Sequence, residues 1–331
     1  MYFSEWGENP FIEYISSRFP SKDHIIGIGD DCAVIPQTDG TSWLVTTDAL
    51  VEGVHFLKEQ IAANDLGYKS IAVNVSDIAA MGGIPKYAFL SLALPKMTEC
   101  SWARLLLEGV REACDKWNIL LLGGDTVGSK RDLFINITLI GSAVQNNIKY
   151  RNQAQPADVI CVTNYLGDSG GGLKALQTGI KKTEDVQRLI HSQFTPEPSP
   201  EQGLWLASHP EVHAMMDISD GLDCDLKRLL KSSRKGATIE TEQIPISPLL
   251  AKVSREQNWD PLQLALAGGE DYCLLLTIDS EAFATLQNAF QAQFHQPLFA
   301  IGHIVDRADE LTYRKNSQVI QLCYEPHNHF Q

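Results

Sequence analysis

The stretch from Lys69 to Gly83, KSIAVNVSDIAAMGG, sets a carboxylate, Asp77, into an otherwise apolar run. Ser70, Asn74 and Asp77 are spaced i, i+4, i+7 and share one stripe of a helix. An ionised Asp there is costly unless a cation or several donors meet it. Further acids stand where predicted strands end: Asp30 and Asp31 in GIGDDCAV, Asp48 in VTTDALVEGVHF, Asp125 in LLGGDTVGS, Asp217 and Asp220 in MMDISDGLDCDL. Two carboxylates about 4 Å apart repel by roughly 4 kcal/mol at an effective dielectric of 20, so gathering several calls for bound metal. An all-oxygen donor set suits Mg²⁺, and more than one ion.

Each acid also has a plainer reading. Asp77 could be satisfied by backbone donors or an Arg. Ser219 or Asp220 could cap a helix running from Gly221 to Ser233, with Asp223 and Asp225 turned to solvent. Glu270 in GGEDY could be a turn carboxylate, and His55 a solvated loop residue beside Asp48.

The elements that must position these groups follow from periodicity. Asn9 to Phe19 reads as an amphipathic helix with Phe11, Ile12, Ile15 and Phe19 as its apolar positions. HIIGIGDDCAVIP reads as strand, glycine turn, strand, and SWLVTTD as a further strand. A helix from about Asn64 to Met81 carries Asp77 and ends at Gly82-Gly83. YAFLSLALP is a strand, and Ser101 to Trp117 an amphipathic helix with Leu105, Leu106 and Val110 inward. NILLLGGDTVGS reads as a buried strand opening into a glycine turn, and DLFINITLIGSAV as a long strand. The domain boundary falls near Asn146-Asn147, giving domains 1–147 and 148–331.

Beyond it come a strand at DVICVTN, a glycine-rich turn into a helix at GDSGGGLKAL and a Pro-rich connection at TPEPSP. The helix containing Trp205 follows, then strand, acidic turn and helix over VHAMMDISDGLDCDLKRLLKSS. ATIETEQIP is a strand, followed by helices to about Ala267. LAGGEDYCLLLTI is a turn and strand, Ser280 to Phe294 a helix, and strands close the chain near Phe299–Ile304, Leu311–Arg314 and Val319–Cys323. Several strand pairs are joined directly, which favours a two-domain α+β fold over a doubly wound sheet.

With 331 residues, 44% hydrophobic and 21% charged, the chain has the make-up of a soluble globular protein of two domains. A formal charge of −14 without a basic run argues against nucleic acid and anionic membranes as partners. Any phosphate contact must then pass through metal. Seven cysteines without a C-x-x-C pair form neither a disulfide framework nor a zinc site, and Cys32, Cys161 and Cys273 read as small core residues. There is no secretory pattern at the N-terminus and no apolar run of membrane-spanning length, so the expected place is the cytoplasm.

The glycine turns at Gly27-Ile28-Gly29, Gly123-Gly124 and Gly167 to Gly172 carry no P-loop, no Rossmann fingerprint and no protein-kinase H-R-D or D-F-G pair. DISDGLDCD fails the EF-hand pattern, with Gly221 one place early and Arg228 where the bidentate Glu belongs.

Taken together, GIGDDCAV, TTDALVEGVHF, YKSIAVNVSDIAAMGG, GGDT, GDSGGGL, DISDGL and LAGGEDY, in this order and spacing, resemble the thiamine-monophosphate kinase family, from about Ser4 to Phe330. The broader superfamily is that of aminoimidazole ribotide synthetase, whose members bind ATP through acidic Mg²⁺ sites. The resemblance implies ATP-dependent phosphorylation of thiamine monophosphate to thiamine diphosphate by direct in-line transfer. It implies metal ligands at Asp31, Thr46, Thr47, Asp48, Asp77, Asp125, Asp217 and Asp220, with Asp77, Asp125 and Asp220 closest to catalysis. Nucleotide contacts are implied at Gly124, Asp125, Arg151 and Ser219, and thiamine-phosphate contacts at His55 and Glu270. Near the tail the family often carries a stacking aromatic residue. Here YEPHNHF puts His327 at that position, with Tyr324 nearby. A homodimer is implied, built by the N-terminal domains through a shared β-barrel, with an α/β-layered C-terminal domain completing the site. The rival readings are another ATP-dependent enzyme of the superfamily and a non-enzymatic regulator that binds divalent ions and nucleotide. Among the enzymes, selenophosphate synthetase is disfavoured because no Cys sits in an N-terminal glycine-rich segment.

Overall fold

The structure, a computed structural model, describes residues 6–308 and 310–322. His327 and Tyr324 lie outside the described residues. The first sheet holds β1 (Ala33–Pro36), β2 (Thr41–Val51), β3 (Ile84–Pro95), β4 (Leu120–Ser129) and β5 (Phe134–Val144), in the order β1-β2-β5-β3-β4. Only β3 and β4 run parallel, which requires a crossover, and the amphipathic helix Cys100–Lys116 supplies it. A short 3-10 turn, Gln145–Asn147, leads out of this sheet.

The helix Ala63–Ala80 lies across one face of the sheet and is buried along nearly all its length. Its apolar sequence demands this, since no face is suited to water. Its neighbour Cys100–Lys116 approaches so closely that a Cβ on Gly109 would sit 1.8 Å from the Asn64 carbonyl oxygen. A Cβ on Gly67 would likewise meet Leu106 O at 2.0 Å. Gly109→Ala is therefore expected to destabilise the protein by about 1–3 kcal/mol or more, read as a lower urea midpoint at unchanged slope. At its other end the same helix enters the second domain. Ala79 and Ala80 pack with Leu206, Met215 and Leu274, and Gly203 abuts the Ala79 carbonyl.

The second sheet has seven strands: β6 (Val159–Val162), β7 (Val212–Asp217), β8 (Gly236–Glu240), β9 (Leu274–Ile278), β10 (Phe299–Val305), β11 (Leu311–Lys315) and β12 (Gln318–Ile320). Its order is β12-β11-β8-β10-β6-β9-β7. Asp168–Thr178, Glu184–Phe194, Pro200–Ala207, Leu222–Ser233, Pro248–Gln257, Pro261–Ala267 and Phe283–Phe294 form its helices. The arrangement is a mixed α/β one, and neither sheet closes on itself. No helix among the described residues is long and apolar enough to cross a membrane.

Several expectations are corrected. HIIGIG contributes only isolated bridges, Ile26 to Val34 and Ile28 to Asp30. The strand expected to be buried at Leu120–Ser129 is an edge strand exposed along its length. Gly123 and Gly124 lie inside that strand instead of in a turn, and a Cβ on Gly124 would collide with the Leu90 carbonyl. Leu105 is exposed, and so are Ile12 on the helix Glu8–Arg18 and Phe19 just beyond its end. The helix Glu184–Phe194 is absent from the sequence reading, although Thr183 caps it by accepting from Val186 N.

Ser219 and Asp220 do not cap Leu222–Ser233 through their side chains. Instead Asp225 reaches back and accepts from the backbone N–H groups of both, each at 3.0 Å. Asp225 and Asp223 are consequently buried and not solvated. Asp223 accepts from the Tyr313 hydroxyl at 2.8 Å, and Arg228 bonds Asp225 at 2.8 Å.

Candidate active site

The C-terminal half of Ala63–Ala80 brings Asp77 to the edge of β2, and the end of β7 brings Asp217 from the other domain. Asp31 arrives on the loop before β1. Carboxylate oxygens of Asp31, Asp77 and Asp217 all lie within 4.8 Å of one another. Thr46, inward-facing on β2, donates its hydroxyl to Asp77. Ser76 donates to Asp217 at 2.7 Å, and Asn74 accepts from Asp48 N at 3.1 Å. The stripe of Ser70, Asn74 and Asp77 therefore faces this cluster only at its last members, since Ser70 turns back to Gly67 O.

Burial, and then the charges of Asp48, Asp217 and Asp31, push the Asp77 carboxyl well above its ordinary value. Burial followed by Asp31 and Asp225 does the same to Asp217. Asp48 is pushed up to about 6, by burial first and Asp220 next, with a hydrogen bond to Asp77 opposing. Asp30 is raised to about 7, by burial and then Asp31. Arg151 does not stand apart as a phosphate anchor here. Its guanidinium bonds Asp31, and its backbone N–H donates to Asp30 at 3.2 Å. One guanidinium against this many carboxylates leaves an excess of negative charge with hard oxygen donors and no thiolate or imidazole in the set. That chemistry fits Mg²⁺.

The second oxygen-rich group, Asp220 with Cys224 and Asp225, is different. Arg228 pairs with Asp220 at 2.5 Å and with Asp225 at 2.8 Å, which compensates the charge internally.

Asp48 and Asp220 open onto a cavity of about 360 Å³ that is also lined by His55, Ser219, Arg228, Glu270 and Tyr272. His55 Nδ1 accepts from Val51 N at 3.0 Å, which puts the ring proton on Nε2. A second cavity of about 400 Å³ adjoins it, sharing Val54, His55, Leu173 and Gln193, with Phe56, Leu57, Ile61 and Phe194 as apolar walls. Polar groups at one end and apolar walls at the other suit a ligand with a charged head and an organic body.

Two expected positions are not gathered in. Thr46 and Thr47 alternate across β2, so Thr47 faces away from Asp77 and bonds Ile137 O and Asn136 Nδ2. Asp125 pairs across the ladder with Ser91 and, through it, Asn136, which puts it on that same outer face, and it is exposed. Sequence reasoning passed over Lys69, Gln193, Ser76 and Arg228. Lys69 had a signal of the kind that exposed Asp77, a charge inside an apolar helix.

Residues 29–143 match the family described as AIR synthase related protein, N-terminal domain, and residues 155–314 match its C-terminal domain. The two domains thus belong to the AIR synthase related class. Thiamine-monophosphate kinase of Bacillus subtilis (strain 168) is 34% identical to the chain over 310 residues, 92% of this chain and 94% of the relative. Thiamine-monophosphate kinase of Escherichia coli (strain K12) is 33% identical over 308 residues, 92% of each. The solved structure of AaThiL complexed with AMPPCP and TMP aligns with a TM-score of 0.86 at 30% identity, covering 97% of both chains. The chain belongs to the thiamine-monophosphate kinase family.

Proposed function

We propose that the chain transfers the γ-phosphoryl group of ATP to the phosphate of thiamine monophosphate, giving thiamine diphosphate and ADP. A terminal oxygen of the acceptor phosphate attacks the γ-phosphorus in line, and the bond to the β–γ bridging oxygen breaks. The acceptor is already an ionised phosphate, so no strong general base is needed. The observation that carries this reading is the acid cluster meeting, at Asp48, a cavity whose other wall is His55 and Glu270.

Asp31, Asp48, Asp77 and Asp217, with Thr46, would hold Mg²⁺, and we assign Asp220 to the same set; Thr47 and Asp125, on the opposite face of the first sheet, are assigned to a further ion. Bound there, Mg²⁺ would neutralise phosphate charge. Asp77 and Asp220 are the ligands assigned nearest the transferred group, and the catalytic assignment of Asp125, on the opposite face of the first sheet, goes with the further ion. Ser219, Gly124, Asp125 and Arg151 are assigned to the nucleotide. Arg151 would turn from Asp30 and Asp31 to phosphate, an exchange of one bidentate anion for another. His55, through Nε2–H, and Glu270 are assigned to the acceptor, with the apolar cavity taking its rings, and the tail residue His327 to the same end.

The division at 147/148 is kept for the two domains, and the cytoplasm as the place of action. We further propose a homodimer formed through the outer face of the first sheet into a shared barrel. That face exposes Phe89, Phe134, Val127 and Val144 together with the bare edge of β4, a combination that a lone chain would blunt. Thr47 and Asp125 stand on it.

The test is label transfer from [γ-³²P]ATP. The label is expected in thiamine diphosphate when thiamine monophosphate is present, and none on the protein when it is absent. Stoichiometric labelling of the protein would overturn direct transfer.

A further inference from the structure

Lys69 is a fully buried ammonium, 2% exposed, on the helix that also carries Asp77. A buried charge is tolerated only with close partners, so its contacts define its purpose. Nζ lies 2.9 Å from the Gln193 carbonyl oxygen and 2.8 Å from Glu270 Oε1. Gln193 Nε2 donates to the other Glu270 oxygen, and the Ser169 hydroxyl donates to Gln193 Oε1. Because a carboxylate only accepts, the amide nitrogen must face Glu270, which leaves the amide oxygen to the Ser169 hydroxyl. Each Glu270 oxygen thus has a protein donor before any ligand arrives.

The backbone agrees. Gly269, Glu270 and Tyr272 have φ of 65°, 56° and 46°, left-handed values that residues other than glycine rarely adopt. Bonds from Glu270 N to Ser219 O at 2.6 Å and from Tyr272 N to Ile218 O at 2.8 Å hold it. The pair is not closed over on all sides. Here the Glu270 side chain keeps 24% exposure and lines the cavity with His55 and Leu173, while Lys69 and Gln193 line the adjoining one.

We propose that Lys69 and Gln193 are positioning residues of the acceptor site: they fix the Glu270 carboxylate from behind and leave its remaining lone pairs for an N–H donor on the acceptor's ring system. This rests on the functional reading above. Lys69 comes from the first domain, and Gln193 and Glu270 from the second, so acceptor affinity also depends on the seam between them.

The test is steady-state kinetics with both substrates varied, on K69M, E270Q, the K69M/E270Q double variant and S169A. K69M is expected to raise the KM for thiamine monophosphate about tenfold or more while the KM for ATP stays within about twofold. The double variant is expected to be no worse than E270Q alone, since Lys69 acts through the carboxylate. S169A, which removes the donor that holds Gln193 Oε1, is expected to raise the same KM about threefold, and it serves if K69M fails to fold. An unchanged acceptor KM in these variants, equal loss for both substrates, or full additivity of K69M and E270Q would overturn the positioning role alone. A parent protein that does not phosphorylate thiamine monophosphate would overturn both this role and the reading it rests on.

Discussion

Asp77→Asn melts no lower than the parent in EDTA, yet loses most of the stabilisation that Mg²⁺ with ATP confers, and its turnover falls by orders of magnitude. This result is expected because Asp77 stands among Asp31, Asp48 and Asp217 with burial as the leading cost. Removing one charge relieves repulsion of order a few kcal/mol before screening. Asparagine keeps an acceptor for the Thr46 hydroxyl and gains an NH₂ for a neighbouring carboxylate. The linkage to metal and nucleotide shrinks with their affinity, and charge neutralisation in the transition state shrinks with it.

The pH dependence of the metal-free parent has a fixed sign. Asp48 near 6 and Asp30 near 7 are raised above an ordinary 3.8, so folding takes up protons. The stability they contribute is full below 3.8 and is lost as pH rises through 6 to 7. Melting temperature in EDTA should therefore climb as the pH is lowered from 8 towards 5. A mutant that melts well below the parent in EDTA and keeps the whole Mg²⁺-ATP shift would make Asp77 a structural residue.

Glu270→Gln raises the KM for thiamine monophosphate by about ten- to a hundredfold and leaves that for ATP within about twofold. The glutamine keeps the shape and one acceptor. It loses the second acceptor and the charge that answers the buried Lys69. Glu270 projects from the loop before β9, and its oxygens contact Lys69 and Gln193, not the acid cluster. Equal weakening of both substrates would contradict its place at the acceptor end.

The acid cluster was legible because its signals are local. A carboxylate in an apolar helix, and acids after glycine at strand ends, announce themselves whatever surrounds them. The helix Ala63–Ala80 was legible for the same reason. What escaped depended on partners distant in sequence. Whether LLLGGDTVGS lies at the centre or the edge of a sheet is decided by which strand pairs beside it, and β4 has only β3. Asp223 and Asp225 looked solvated because Tyr313 and the backbone of Ser219 and Asp220 cannot be placed against them by periodicity. Thr47 carried the right chemistry, but strand alternation turns it to the other face from Thr46. Lys69 was a missed opportunity, since the argument applied to Asp77 applies to it unchanged.

The most direct test of the account is ADP release by the purified protein with Mg²⁺ and ATP, with thiamine monophosphate, thiamine or no acceptor supplied in turn. The account predicts turnover with thiamine monophosphate only, matched mole for mole by thiamine diphosphate. ADP released at the same rate without acceptor, or equally with thiamine, would contradict it.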